Sequence, residues 1–212
     1  MRKLVIIGAS GHGKVVADIA VRNGYDEIVF LDDNESVKEC SDYPVVGKSE
    51  EAVYQKCDVI VAIGDASIRQ RIQKKLEYVG VQIATLIHPD AVIAEFVKIG
   101  IGTVVMAGAV INPETTIGKG CIINTCSSVD HDCVIGDYVH ISIGAHVAGT
   151  VNVGERTWIG AGVTVSNNVS ICGDCMIGAG AVVIRNISKA GIYLGVPAEE
   201  KNMAKENGLG GG

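Results

Sequence analysis

Residues 117–153 read IGKGCIINTCSSVDHDCVIGDYVHISIGAHVAGTVNV, and isoleucine or valine occupies every sixth position: Ile117, Ile123, Val129, Ile135, Ile141, Val147, Val153. The series runs on in both directions without a miss. Ile87, Ile93, Ile99, Val105 and Ile111 precede it, and Ile159, Val165, Ile171, Ile177 and Val183 follow, seventeen in all. Four residues beyond most of these the side chain is small or β-branched, as at Ala109, Thr115, Cys121, Ser127, Ala145 and Thr157. An amphipathic helix needs apolar spacing near 3.6 and a half-buried strand a spacing of 2, so neither explains six. A solenoid does: each hexapeptide makes a short strand and a turn, and stacked coils bury the aliphatic ladder. Residues 86–190 are expected to form a parallel β-helix.

The repeat also places the polar residues. The aliphatic residue and the one two before it point inward, the residue between them points out, and the next two form a corner. Residues eighteen apart then stack on successive coils at about 4.8 Å. His131 falls at a corner, flanked by Asp130 and Asp132, and Gly149 stacks above it, leaving room beside the imidazole. A carboxylate neighbour raises the basicity of a histidine and fixes its tautomer, as a general base requires. His140 and His146 each precede an aliphatic residue and so face outward, but on adjacent faces of the coil. One subunit cannot bring His131, His140 and His146 together, and His146 reads as surface.

Residues 1–85 follow a different pattern. Lys3–Ile7 is a β-branched run ending in Gly8-Ala-Ser-Gly-His-Gly13, and an apolar-periodic helix follows to about Asn23-Gly24. Strands are expected at Glu27–Leu31, Asp58–Ile63 and Val81–Leu86, and helices at Ser49–Lys56 and Ser67–Tyr78. Alternating strands and helices imply a small Rossmann-like α/β unit whose ligand sits beyond the carboxyl ends of the strands. The loops there are GASGHG, LDDN and IGD. The first lacks the G-x-G-x-x-G spacing of a dinucleotide site. Ser10, Gly11 and His12 at a helix N-terminus could hold phosphates. Asp32 and Asp33, about twenty residues on, could accept hydrogen bonds from a ribose or a uracil. The boundary near residue 85 suggests a solenoid able to fold without the first unit. Residues 191–212 make a C-terminal segment whose NGLGGG end is expected to be disordered.

Composition narrows the function further. Hydrophobic residues make up 48% and aromatics only 4%, which suits a core of repeated Ile, Val and Ala. A net charge of −6 argues against a nucleic-acid partner. No apolar run approaches a membrane span, and the start reads as a first strand rather than a signal peptide because Gly8–Lys14 interrupts it. Seven cysteines, three of them (Cys121, Cys133, Cys175) at the small inward position, read as reduced and cytoplasmic. Cys172-Gly-Asp-Cys175 is a lone CxxC without the second pair a zinc knuckle needs.

GASGHGK, FLDD, AIGD, the block NTCSSVDHDCVIGDYVHISIGAHVAG and the closing GVPA together resemble the PglD/NeuD family of bacterial sugar acyltransferases over nearly the whole chain. The solenoid period is shared by many transferases; GASGHG combined with the Asp-His-Asp-Cys block is far more specific. The resemblance implies a left-handed β-helix, a homotrimer, acetyl-CoA as co-substrate without a metal, and N-acetylation of a UDP-linked 4-amino-4,6-dideoxy sugar. O-acetylation of a sialic acid or another sugar is the alternative within the class. The resemblance also assigns residues: His131 as base, Asp132 as the acid that tunes it, and His140 near the thioester of acetyl-CoA. Main-chain contacts to acetyl-CoA fall on Ala161 and Ala179, and the sugar-nucleotide loops on Ser10, Gly11, His12, Asp32 and Asp33. Ala161 and Ala179 are eighteen apart, so an extended pantetheine along the solenoid axis would meet both. The N–H of Gly149 is the first candidate for stabilising the tetrahedral oxyanion. Two other classes fit the residues less well: a metal-dependent hydratase using three converging histidines, and a non-catalytic nucleotide-sugar sensor.

Overall fold

The computed structural model describes residues 1–201. The NGLGGG end, expected to be disordered, lies outside the described residues. The chain opens with β1 (Lys3–Ile7), α1 (Gly11–Arg22), β2 (Glu27–Leu31), β3 (Glu39–Cys40) and β4 (Tyr43–Gly47). A 3-10 turn (Ser49–Tyr54), β5 (Asp58–Val61) and α2 (Ala66–Tyr78) follow. The sheet order is β3-β4-β2-β1-β5, parallel throughout except for β3, which pairs antiparallel with β4.

Three strands differ from the expectation: Val81–Leu86, and the unforeseen pair β3 and β4. Val81–Leu86 does not form one. Only Ile83 bridges to Val59, and the chain then leaves the sheet because Thr103 and Val105 claim it. The N–H groups of Leu86 and His88 bond their carbonyls at 3.1 and 2.9 Å. Leu86–Ile87 thus becomes the first solenoid strand, parallel to Val104–Val105. In its place the sheet gains β4 on the opposite side, which Pro44 and Gly47 disguise in the sequence.

From Leu86 onward each hexapeptide gives a two-residue strand, and the strands collect into three parallel sheets. Pairs such as Val110↔Ser128, Thr116↔Val134 and Ile122↔His140 fix an eighteen-residue coil. The aliphatic ladder fills the interior together with Cys121, Cys133 and Cys175. Thr103, Thr115 and Thr157 also turn inward, each donating its hydroxyl to a main-chain carbonyl at 2.7–3.0 Å, so none of these three buried hydroxyls is left unpaired. Every sixth residue from Phe96 to Gly180 has positive φ. This is the third residue after each aliphatic, so the turn falls at residues such as His131-Asp132, one place later than the sequence rule put it, and there the chain passes through the left-handed region whether or not it carries glycine.

The two units share a core. The α1 side of the sheet (Leu4, Ile6, Val16, Ala20, Phe30) packs in one cluster with Leu86, Val104, Met106 and Ile122 of the solenoid. The opposite side packs on α2 through Val5, Ile7, Val59, Val61 and Leu76. Arg69 of α2, 1% exposed, reaches across the joint. It donates to the carbonyls of Gly120 and Tyr138 in two coil corners (2.7 and 2.8 Å) and to Ile63 and Gly64 on its own side (2.7 and 2.8 Å). Where the sequence suggested a self-contained solenoid, the first face carries an apolar patch that the N-terminal unit covers.

Candidate active site

His131 stands at the corner between the strands Ser128–Val129 and Val134–Ile135. Its ring is 56% exposed, and Nδ1 lies 2.7 Å from Oδ2 of Asp132. Asp132 has φ 58°, the corner geometry that turns its carboxylate back toward its neighbour. The hydrogen bond to Asp132 raises the pKa of His131 above its ordinary value; desolvation opposes it, and the charges of Asp130 and Asp132 add to the rise. With Nδ1 committed as a donor to a carboxylate, Nε2 is left as the basic atom. Asp130 is held separately: its Oδ1 accepts from Asn112 Nδ2 (2.7 Å) and from the His131 N–H (2.8 Å), which lowers its pKa.

Gly149 closes the other side of the ring. A Cβ placed there would lie 2.7 Å from both Cε1 and Nε2 of His131. Only a glycine lets the imidazole keep this position. The Gly149 carbonyl accepts from Asn168, the N–H of Thr150 donates to the His131 carbonyl, and the Gly149 N–H has no partner among the described residues. An unpaired donor beside a basic nitrogen is the pairing that acyl transfer uses for an oxyanion and a proton.

A second cluster forms where the N-terminal unit meets the solenoid. A cleft of about 630 Å³ lies there, lined by the IGD loop (Gly64–Ser67) and by His140, Arg156, Trp158, Asp174, Cys175 and Met176. His140 and Trp158 are paired residues of adjacent coils, and their rings stack with centroids 5.8 Å apart and planes 1° apart. Burial, then the charges of Arg69 and His12, push the His140 pKa down to about 3. Asn124 fixes its tautomer. The Asn124 Oδ1 accepts from the Thr125 N–H (2.7 Å), so its Nδ2 donates to His140 Nε2 (3.1 Å) and the proton of the neutral ring sits on Nδ1. His12 lies close enough to bear on His140; burial and Arg69 lower its own pKa to about 4, and its Nε2 is buried without a partner.

The remaining expected residues are spread over three places. Ser10 caps α1 without a side-chain bond to it, so its hydroxyl stays uncommitted beside Gly11. Asp32 and Asp33 are engaged locally. Asp32 accepts from the Ala9 N–H (2.7 Å) and thereby ties β2 to the glycine loop. Asp33 accepts from the N–H and hydroxyl of Ser49 (2.9 and 2.7 Å), which lowers its pKa. Ala161 and Ala179 stack at one corner, linked by the Gly180 N–H to the Ala161 carbonyl (2.8 Å). That corner joins the strands Trp158–Ile159 and Thr164–Val165, a different edge of the triangle from the one that carries His131. One chain therefore unites His131, Asp132 and Gly149, and separately His12 and His140, without uniting the two groups. His146 faces out and pairs with Ser128 (2.9 Å).

Sequence reasoning passed over Asn124, Trp158 and Arg69. Trp158 carried a readable signal, since it follows His140 by eighteen residues; Asn124, sixteen residues before His140, and the reach of Arg69 into the solenoid carried none. Among the described residues no group of three or more His, Cys, Asp and Glu could hold a metal, and no helix is long and apolar enough to cross a membrane.

Comparison with known proteins bears on these sites. Residues 3–76 match the family model described as the PglD N-terminal domain. The acetyltransferase domain of PglB from Neisseria gonorrhoeae is 38% identical, covering 95% of this chain and 100% of that one at a TM-score of 0.91. It has also been solved with acetyl coenzyme A. PerB from Caulobacter crescentus, solved with CoA and GDP-perosamine, is 37% identical over 95% of this chain and 98% of its own, TM-score 0.90. WeeI from Acinetobacter baumannii is 28% identical, covering 95% and 100%, TM-score 0.88. A small α/β unit on a hexapeptide β-helix, with these likenesses, defines an acetyltransferase. More narrowly, the chain belongs to the PglD/NeuD-type family of sugar N-acetyltransferases.

Proposed function

We propose that this acetyltransferase moves the acetyl group of acetyl-CoA onto the 4-amino group of a UDP-linked 4-amino-4,6-dideoxy sugar, with His131 as general base. The observation that carries the reading is the His131–Asp132–Gly149 corner: a basic Nε2, a carboxylate behind the ring and a free N–H beside it. The neutral amine attacks the thioester carbonyl. The Gly149 N–H is aimed at the oxyanion, and His131 Nε2 accepts the proton that the amine sheds. The departing thiolate can take that proton back, so no acyl-enzyme is needed. Holding both substrates in register supplies much of the rate. Donor binding is assigned to His140, Ala161 and Ala179, and the nucleotide to Ser10, Gly11, His12, Asp32 and Asp33. PerB, with its bound GDP-perosamine, supports a nucleotide-linked amino sugar as acceptor.

The working unit in this reading is a cytoplasmic homotrimer. Its support is the separation just described: the base occupies one edge of the coil and the donor corner another, so a second copy must complete each site. Light scattering combined with activity checks it, and a fully active monomer removes it. The chemistry is tested by His131→Ala, assayed with acetyl-CoA across a panel of UDP- and GDP-linked 4-amino sugars and a sialic acid. The expected loss in kcat is about 10²–10⁴, the usual worth of a general base, with little change in KM for acetyl-CoA. His146→Ala is expected to be nearly silent. Near-normal turnover by His131→Ala would place the base elsewhere.

A further inference from the structure

Cys172-Gly-Asp-Cys175 is the sequence motif that acetyl transfer leaves without a role. The two cysteines bracket one corner of the coil. Cys172 follows the inward Ile171, Cys175 takes the next small inward position, and Gly173-Asp174 makes the turn, with Asp174 at φ 59°. Both thiols are free, and their sulfurs stand 3.5 Å apart. Cys172 is half-buried, whereas Cys175 is 2% exposed in the solenoid core. Cys172 is the more exposed of the two and so meets an oxidant first, while burial and the neighbouring Cys172 sulfur push the Cys175 thiol above its ordinary value.

What hangs on this corner gives the pair its consequence. The Asp174 carboxylate grips Arg156 through two hydrogen bonds of 2.7 Å. The Cys175 carbonyl accepts from the Trp158 N–H at 2.8 Å. Asp174, Cys175, Arg156 and Trp158 all line the 630 Å³ cleft.

We propose that Cys172 and Cys175 form a reversible disulfide across this corner, and that its closure reshapes the cleft so that acetyl transfer responds to hydroperoxides. In the first step the Cys172 thiolate attacks a peroxide oxygen. The O–O bond breaks, leaving a sulfenic acid on Cys172 and a hydroxide that is protonated to water. The Cys175 sulfur then attacks the Cys172 sulfur. The S–O bond breaks, and hydroxide leaves as water with the Cys175 proton. Two thiols lose two electrons and two protons, and hydrogen peroxide becomes two waters; a dithiol reverses the change. Closing the sulfurs from 3.5 Å to the bond length of about 2.05 Å draws in both ends of the corner, and with them the Asp174–Arg156 grip and the Trp158 backbone.

The disulfide itself is independent of the acetyl-transfer reading; only its effect on turnover rests on that reading. The test therefore carries two readouts besides catalysis. The full chain is treated with hydrogen peroxide, the excess is removed, and free thiols are blocked before peptide mapping. Trp158 is the sole tryptophan, so its fluorescence reports the cleft whatever the substrate proves to be. Cys172→Ala serves as the unresponsive variant, because Ala148 holds the same repeat position in another coil. The expected result is a peptide two hydrogens lighter joining Cys172 to Cys175, a changed Trp158 emission, and kcat/KM lowered about tenfold, as sub-ångström displacement in a site costs. All three should be restored by dithiothreitol and absent in Cys172→Ala. The proposal is overturned if the lighter peptide does not form. It also fails if the disulfide leaves emission and turnover unchanged, or if Cys172→Ala loses the same activity under peroxide. A reduced chain inert toward every acceptor would count against the functional reading alone, with mapping and fluorescence still deciding the disulfide.

Discussion

Gly149→Ala isolates the geometry of the proposed base from its chemistry, because it removes no polar atom. The new Cβ would sit 2.7 Å from Cε1 and Nε2 of His131 and 3.2 Å from Cδ2. Ordinary carbon contacts begin near 3.5 Å, so the ring must retreat by roughly 0.8 Å. Gly149 is not among the residues with positive φ, so alanine meets no backbone penalty there. The ring is exposed and can swing, at a cost of about 0.5–1.5 kcal/mol for an off-rotamer side chain. Swinging breaks the alignment with Asp132 and takes Nε2 away from the Gly149 N–H. A misplacement of about 1 Å can cost 10²-fold in rate, so kcat should fall by about 10–100-fold. KM for acetyl-CoA and the melting temperature should barely move. The assay is product formation under saturating acetyl-CoA beside a thermal melt of the same preparation. Turnover within threefold of wild type would refute the claim that this corner holds the base in its working position.

Asp132→Asn should shift the pH profile in a definite direction. Asp132 raises the pKa of His131, and the basic form appears as pH rises through that value. Without the charge, the rising limb of kcat against pH should move to lower pH, with a lower plateau because the base is weaker and less well oriented; an unmoved limb would detach Asp132 from the titrating group. Arg69→Met should leave the carbonyls of Gly120, Tyr138, Ile63 and Gly64 without their buried donor, costing about 1–3 kcal/mol or more in chemical denaturation, and a loss below 1 kcal/mol would contradict its bridging role. A fragment beginning at Thr85 should aggregate or melt early because Val104, Met106 and Ile122 lose their cover; a monodisperse fragment with the melting point of the full chain would show that the shared core is dispensable.

The solenoid was legible because its period comes from a rigid geometric constraint. A coil of eighteen residues requires an inward aliphatic at every sixth position, and the whole series from Ile87 to Val183 meets the requirement. The same arithmetic placed His131 beneath Gly149 and set His140 and His146 on different faces. The sheet of the N-terminal unit was less readable. Val81–Leu86 has a strand-like composition, yet its backbone is captured by Thr103 and Val105, a competition between two tertiary partners that no local pattern records. The same limit hid the cleft. Arg69 looks like a solvated position on an amphipathic helix, and only the docked solenoid turns it into a buried clamp. His12 and His140 are far apart in sequence, and their mutual influence exists only because α1 and the second and third coils share one core.

The eighteen-residue pairing also sets how such a chain can change length. Removing or adding a single hexapeptide between Asp132 and His140 would preserve the core, since every inward position would still be filled. It would, however, rotate all later coils by one face, carrying Trp158 and Met176 away from the IGD loop and the Ala161–Ala179 corner to another edge. Three hexapeptides gained or lost together restore the azimuth and change only the height. A rod of this kind tolerates growth at its far end freely, but between two residues that must cooperate it can be lengthened only in whole turns.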